Sequence, residues 1–138
     1  MTELTCSLEQ LQDVCQAIAG LLPEGGVVIL QGNLAAGKTT LTQAFAKYLG
    51  LNEAVTSPTF SLQQCYGDRL FHYDIYNQGL DHFLSLGMLE ELEREGYHLI
   101  EWGDESLARL LKTAGIATIT VVIDKADKNR RTYRIENA

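Results

Sequence analysis

The feature that most restricts this chain is the octet Gly32-Asn33-Leu34-Ala35-Ala36-Gly37-Lys38-Thr39, which fits GxxxxGK[ST] without a mismatch. It follows the apolar run Val27-Val28-Ile29-Leu30, bounded by glycines, as expected of a strand covered on both faces. A helical pattern follows over Thr39–Leu49, with Leu41, Ala44, Phe45 and Tyr48 spaced to pack and Gly50 as a stop. Strand, glycine loop and helix in that order make a phosphate-binding loop. Gly32 and Gly37 allow successive N–H groups to turn inward, and the helix start adds its positive end. Lys38 supplies an ammonium for the outer phosphates, and the Thr39 hydroxyl suits a magnesium shell. The ligand expected over Gly32–Thr39 is a nucleoside triphosphate or its diphosphate product.

The rest of the pattern alternates helix and strand. Helices are expected over Ser7–Leu22, with Ser7 and Gln10 at capping-box positions, and over Glu105–Lys112. The Ser7–Leu22 stripe comprises Leu8, Leu11, Val14, Cys15, Ile18 and Leu22. Gly79–Glu95 is weakly helical and interrupted at Gly87. Strands are expected over Thr59–Tyr66 and Leu70–Tyr73, joined by Gly67-Asp68, and over Tyr97–Ile100, Ile116–Ile123 and Arg131–Ile135. Helices interleaved with apolar strands indicate an α/β fold: a three-layer sandwich of P-loop nucleotide-binding type around a mostly parallel, mixed sheet. At 138 residues, with no linker or repeat, residues 1–138 are expected to form one domain.

Two apolar segments end in carboxylates, Leu70-Phe71-His72-Tyr73-Asp74 and Tyr97-His98-Leu99-Ile100-Glu101. In open α/β sheets the ligand lies beyond the carboxyl ends of the strands. If both run parallel to Val27–Leu30, Asp74 and Glu101 converge on the metal and terminal phosphate, one as a metal ligand and the other positioning water.

Composition narrows the partners. Eighteen acidic against 11 basic residues give a net charge of −7, which argues against a stand-alone nucleic-acid binder. Cys6, Cys15 and Cys65 form no CxxC pair and read as small buried hydrophobes in a reducing compartment. The start Met1-Thr2-Glu3-Leu4-Thr5 has no basic region with an apolar core, and no apolar run nears the roughly 20 residues that span a bilayer. The expectation is a soluble, cytoplasmic protein. His72, His82 and His98 lack metal-ligand spacing and read as packing or surface residues. Asp124-Lys125-Ala126-Asp127 departs from the guanine-reading NKxD motif and reads as a solvated turn, as does the basic Lys128-Asn129-Arg130-Arg131.

Gly32–Thr40, Thr56-Ser57-Pro58-Thr59-Phe60, His72-Tyr73-Asp74-Ile75-Tyr76 and Ile100-Glu101-Trp102-Gly103-Asp104 together resemble the TsaE (YjeE) family, the ATPase component of bacterial tRNA threonylcarbamoyladenosine biosynthesis. The resemblance implies a weak Mg2+-dependent ATPase that binds ATP over Gly32, Asn33, Leu34, Ala35, Ala36, Gly37, Lys38, Thr39 and Thr40. It implies Thr39 and Glu101 as magnesium ligands, Asp74 as the acidic residue of hydrolysis and Trp102 as a functionally important tryptophan. Thr56, Ser57, Pro58, Thr59 and Phe60 match a mobile, switch-like segment beside the γ-phosphate. It further implies TsaD and TsaB as partners in modifying tRNA at position 37, with tRNA met only through the complex. The family usually has Asp at Asn33, Gly at Ala35 and Arg at Asn77, so that arginine's role is not carried over. Two alternatives remain beside this: a small-molecule kinase, and a nucleotide-dependent assembly switch with incidental hydrolysis.

Overall fold

A computed structural model of the chain describes residues 2–32, 35–56, 63–75, 81, 84–85 and 87–137, with the side chains of 35, 36, 55 and 56 excepted. In chain order the elements are β1 (Thr2–Cys6), a 3-10 turn (Leu8–Gln10), α1 (Leu11–Leu21), β2 (Gly25–Gln31), α2 (Ala35–Tyr48), β3 (Val55–Thr56) and β4 (Gln63–Tyr66). They continue with β5 (Leu70–Asp74), α3 (Met88–Glu91), β6 (Gly96–Glu101), α4 (Glu105–Thr113), β7 (Thr118–Lys125) and β8 (Arg131–Asn137). The strands form one sheet in the order β1-β8-β7-β2-β6-β5-β4-β3. The inner four, β7, β2, β6 and β5, pair in parallel, and the outer strands β1, β8, β4 and β3 pair antiparallel. The sheet is therefore mixed and parallel at its centre, in line with the sequence reading.

Alternation along the strands builds two cores. Val28 and Leu30 of β2 face one side with Leu41 and Phe45 of α2 and Val14, Cys15 and Ile18 of α1. Val27 and Ile29 face the other with Phe71, Tyr73, Met88 and the α4 residues Leu107 and Leu111. Val27 to Leu30 have no solvent exposure, which is why they read as a continuous apolar run. Cys15 lies in the first core, its thiol pKa pushed up to about 12 by burial, and packs as a small hydrophobe.

Several boundaries differ from those expected. The N-terminal strand β1 was not anticipated; it forms only because β8, 125 or more residues later, offers it an edge. The expected helix over Ser7–Leu22 divides into the 3-10 turn and α1. The Ser7 N–H donates to Gln10 Oε1 (3.1 Å), half of the anticipated capping box, and Leu8, out of phase with the α1 stripe, is exposed. Helix α2 begins at Ala35, four residues before the expected Thr39, so the phosphate loop's end is already helical. The β4–β5 loop is Gly67–Arg69, with Tyr66 opposite Leu70. The expected Thr59–Tyr66 strand is described only from Gln63, and of Gly79–Glu95 the described helix is mainly α3, with Gly87 at its start in a left-handed conformation. Strand β7 lies two residues later than expected, ending at Lys125 rather than Ile123, and β8 starts at the expected Arg131 but runs on to Asn137.

A buried polar chain runs through the second core. His98 Nε2 donates to the Arg94 carbonyl (2.9 Å), leaving Nδ1 to accept from the Tyr73 hydroxyl (2.7 Å). Tyr73 in turn accepts from Gln63 Nε2 (2.9 Å), which also donates to Glu91 Oε1 (2.9 Å). This chain uses neutral imidazole. Burial holds His98 below the ordinary histidine value, against the pull of the Arg94 carbonyl and Glu91. The unfolded chain therefore takes up this proton first as pH falls through about 6.5, and stability present above that value declines below it. The midpoint of thermal unfolding should fall more steeply between about pH 7.5 and pH 5.5 in the wild type than in His98→Gln; parallel curves would contradict this.

Candidate functional site

The connection leaving β2 runs to α2 on one face of the sheet, while that leaving β6 runs to α4 on the other. Adjacent parallel strands whose connections part in this way leave a crevice at their carboxyl ends. Three sequence blocks meet there: Gly32 and the start of α2, the end of β6 at Glu101, and the end of β5 at Asp74. The condition set by the sequence holds, since β5 and β6 run parallel to β2 and Asp74 is the register partner of Glu101, itself beside Leu30.

Each group is held for an identifiable reason. Gly32 has φ +125°, and any Cβ there would run into the Ile123 carbonyl of β7, so only glycine lets the loop leave β2 at this point. Lys38, in the first turns of α2, has no solvent exposure. Its Nζ donates to the Gly32 carbonyl (2.9 Å) and lies 3.4 Å from the centroid of the Trp102 ring. Burial holds its pKa below the ordinary lysine value, while Glu101 and then Asp74 favour the charged form. The first turn of α2 contains no acidic residue to oppose an anion. Thr39 is exposed and Thr40 half-buried, with Thr42 Oγ1 donating to the Lys38 carbonyl (3.1 Å).

Glu101 is 4% exposed, and His72 hydrogen-bonds through Nε2 to its Oε2. This corrects the reading of His72 as a packing or surface histidine: alternation puts His72 and Asp74 together, opposite Phe71 and Tyr73 of the second core. His98 fits that reading, and His82 lies outside the described residues. After Glu101, Trp102 has φ +70° and is 37% exposed, its N–H bonded to the Leu30 carbonyl (3.3 Å). Gly103 is packed so closely that an added Cβ would sit 2.9 Å from Ile29 Cγ2 and 3.0 Å from Leu107 Cδ2. Asp104 caps α4, its Oδ1 accepting from the Leu107 N–H (2.9 Å).

Glu101 and Thr39 offer hard oxygen donors, the chemistry magnesium selects. Among the described residues no group of three His, Cys, Asp or Glu forms a metal cage. Asn33, Leu34, Asn77 and residues 57–60 lie outside the described residues, and Thr56 is placed only as the end of β3.

One cavity was not found by sequence reasoning. Beyond the carboxyl end of β7 lies a cavity of about 600 Å³ lined by Ser7, Leu8, Lys125, Lys128, Arg131 and Tyr133, among others. Ile123, against which Gly32 packs, is two strand residues from Lys125, or about 7 Å. The cavity's lining comes together through the pairing of β1 with β8, which the sequence did not foretell. The arginines are dispersed: Arg94 pairs with Glu91, Arg130 with Asp127, and Arg134 lies between Asp124 and Glu136.

The fold and this arrangement define a class, a P-loop NTPase-like α/β sandwich. A crystal structure of Bacillus subtilis YdiB is similar, with a TM-score of 0.60 and 28% identity, covering 99% of this chain and 87% of that one. Residues 5–133 match the family of the threonylcarbamoyl adenosine biosynthesis protein TsaE, and the chain belongs to that family. Relatives described as tRNA threonylcarbamoyladenosine biosynthesis protein TsaE include one from Treponema pallidum, 36% identical over 88% of this chain and 94% of its own length. Another, from Rickettsia bellii, is 33% identical over 95% and 91%. Membership places the chain in the biosynthesis of threonylcarbamoyladenosine in tRNA. No helix among the described residues is long and apolar enough to cross a membrane.

Two measurements check this geometry. Lys38→Met should alter the emission of Trp102, the sole tryptophan, while unfolding stays cooperative; identical spectra would show that the stack does not form. Asp104→Ala should cost about 1 kcal/mol of stability through loss of the α4 cap, read by denaturant unfolding.

Proposed function

We propose that this chain binds ATP with Mg2+ and hydrolyses it slowly, in the cytoplasm, as the accessory ATPase of tRNA threonylcarbamoyladenosine modification at position 37, with TsaD- and TsaB-type partners. The observation that carries the reading is the buried Lys38 at the start of α2, with Glu101 and Asp74 on the neighbouring parallel strand ends. Among the described residues the Lys38 ammonium donates to a neutral carbonyl and lies against an aromatic ring. A phosphate oxygen would give it a stronger, charge-assisted bond.

In this reading the backbone from Gly32 to Thr40 cradles the phosphates. Lys38 stabilises charge developing on the transferred group. Thr39 and Glu101 hold the magnesium, which when bound neutralises charge on the outer phosphates. Asp74, exposed at the end of β5, orients the attacking water. The cavity beside Lys125 takes the base and ribose, since it lies on the far side of the loop from Asp74 and Glu101. Substrate chemistry on tRNA falls to the partners, in keeping with the net charge of −7.

Lys38→Ala should abolish nucleotide binding or turnover, and near-normal turnover would refute the site. Asp74→Ala should retain ATP binding and lose hydrolysis by about 100-fold or more, measured as phosphate release. If that variant still supports modification by a TsaD/TsaB mixture through repeated turnovers, the assembly-switch alternative replaces the ATPase reading. Glu101→Ala should raise the magnesium concentration needed for nucleotide binding.

A further inference from the structure

We propose that His72 is a positioning residue for Glu101: it fixes one carboxylate oxygen so that the other faces the metal. The inference rests on the magnesium role given to Glu101 above and adds a residue that role depends on. His72 pairs in register with Leu99, so Glu101 is its diagonal neighbour on β6, two residues further along the same face. Such diagonal pairs lie about 7–8 Å apart at Cα, within reach of an imidazole and a glutamate side chain. The bond between Nε2 and Oε2 closes that distance.

The pair is shielded, with side-chain exposures of 11% for His72 and 6% for Glu101. Water therefore competes poorly for this bond, which is correspondingly strong in its low-dielectric setting. An ionised carboxylate only accepts, so Nε2 carries the proton and donates. Lys38, the cation close at hand, has its ammonium on the Gly32 carbonyl and against Trp102. The hydrogen bond holding the Glu101 carboxylate thus comes from β5, the strand that also carries Asp74. With Oε2 engaged by His72, Oε1 is the oxygen left for a cation. Outer-shell partners of this kind set the orientation of a ligating carboxylate, and their loss typically weakens metal affinity 10–100-fold.

The test is the binding of a fluorescent ADP analogue to the full chain, titrated with Mg2+ and repeated in EDTA. His72→Ala should raise the Mg2+ concentration for half-maximal binding about 10-fold or more, while leaving affinity in EDTA unchanged. His72→Gln, which keeps a donor on a side chain of similar reach, should restore most of the magnesium response. Thermal unfolding of both variants checks that the sheet is intact. If His72→Ala follows the wild-type magnesium curve while Glu101→Ala does not, the positioning role is overturned and the magnesium role of Glu101 stands. Equal loss of affinity with and without Mg2+ would also overturn it, by showing a general structural effect. If even Glu101→Ala leaves the magnesium curve unchanged, the reading of Glu101 as a metal ligand fails first.

Discussion

Strand β2 is paired in parallel along both edges, to β6 and to β7, with Val27–Leu30 wholly buried between two cores. That double pairing fixes the height at which the chain leaves the sheet. Leu30 stands beside Glu101, and the next residue but one, Gly32, passes against the Ile123 carbonyl. A register slip of one residue on either side would turn Glu101 into the α4 core or drive Gly32 into β7. The phosphate loop's point of departure and the place of the Glu101 carboxylate are thus two consequences of one strand's hydrogen bonding.

Around that strand the site holds charge out of water. Lys38, Glu101 and His72 are all largely buried, and an uncompensated buried charge would cost several kcal/mol. Each is engaged: Lys38 by a carbonyl and an indole, Glu101 by an imidazole. The indole is bought with backbone strain, because a non-glycine residue at φ +70° costs about 1–2 kcal/mol. A desolvated cation–π contact is worth about 2 kcal/mol, which offsets that cost.

Much of this was legible in the sequence, and for physical reasons. The Gly32–Thr39 octet and its flanks identify a strand, loop and helix because local chemistry alone builds them. Asp74 and Glu101 were readable because apolar runs ended in carboxylates. What escaped was non-local. Strand β1 exists through pairing with β8; the cavity needs that same pairing; and the contact of His72 with Glu101 needs the β5–β6 register. The alternation Phe71, His72, Tyr73, Asp74 already placed His72 on the side of Asp74, but not which residue it would meet. Leu8 was misread because a 3-10 turn breaks the helical phase that the spacing suggested.

The block Glu101-Trp102-Gly103-Asp104 shows why a short motif carries such specificity. Glu101 ends β6 at the crevice, with its carboxylate bonded to His72. Trp102 turns the chain left-handed to lie over Lys38, Gly103 permits contact with Ile29 and Leu107, and Asp104 starts α4. The Gln31 amide ties the turn back by donating to the Gly103 carbonyl (3.2 Å). A change at Gly103 would displace Trp102 and Glu101 without touching either, since a Cβ of even one methyl must push the turn away from Ile29. The motif is therefore a geometric unit as much as a chemical one: three residues whose packing holds the fourth at the mouth of the crevice.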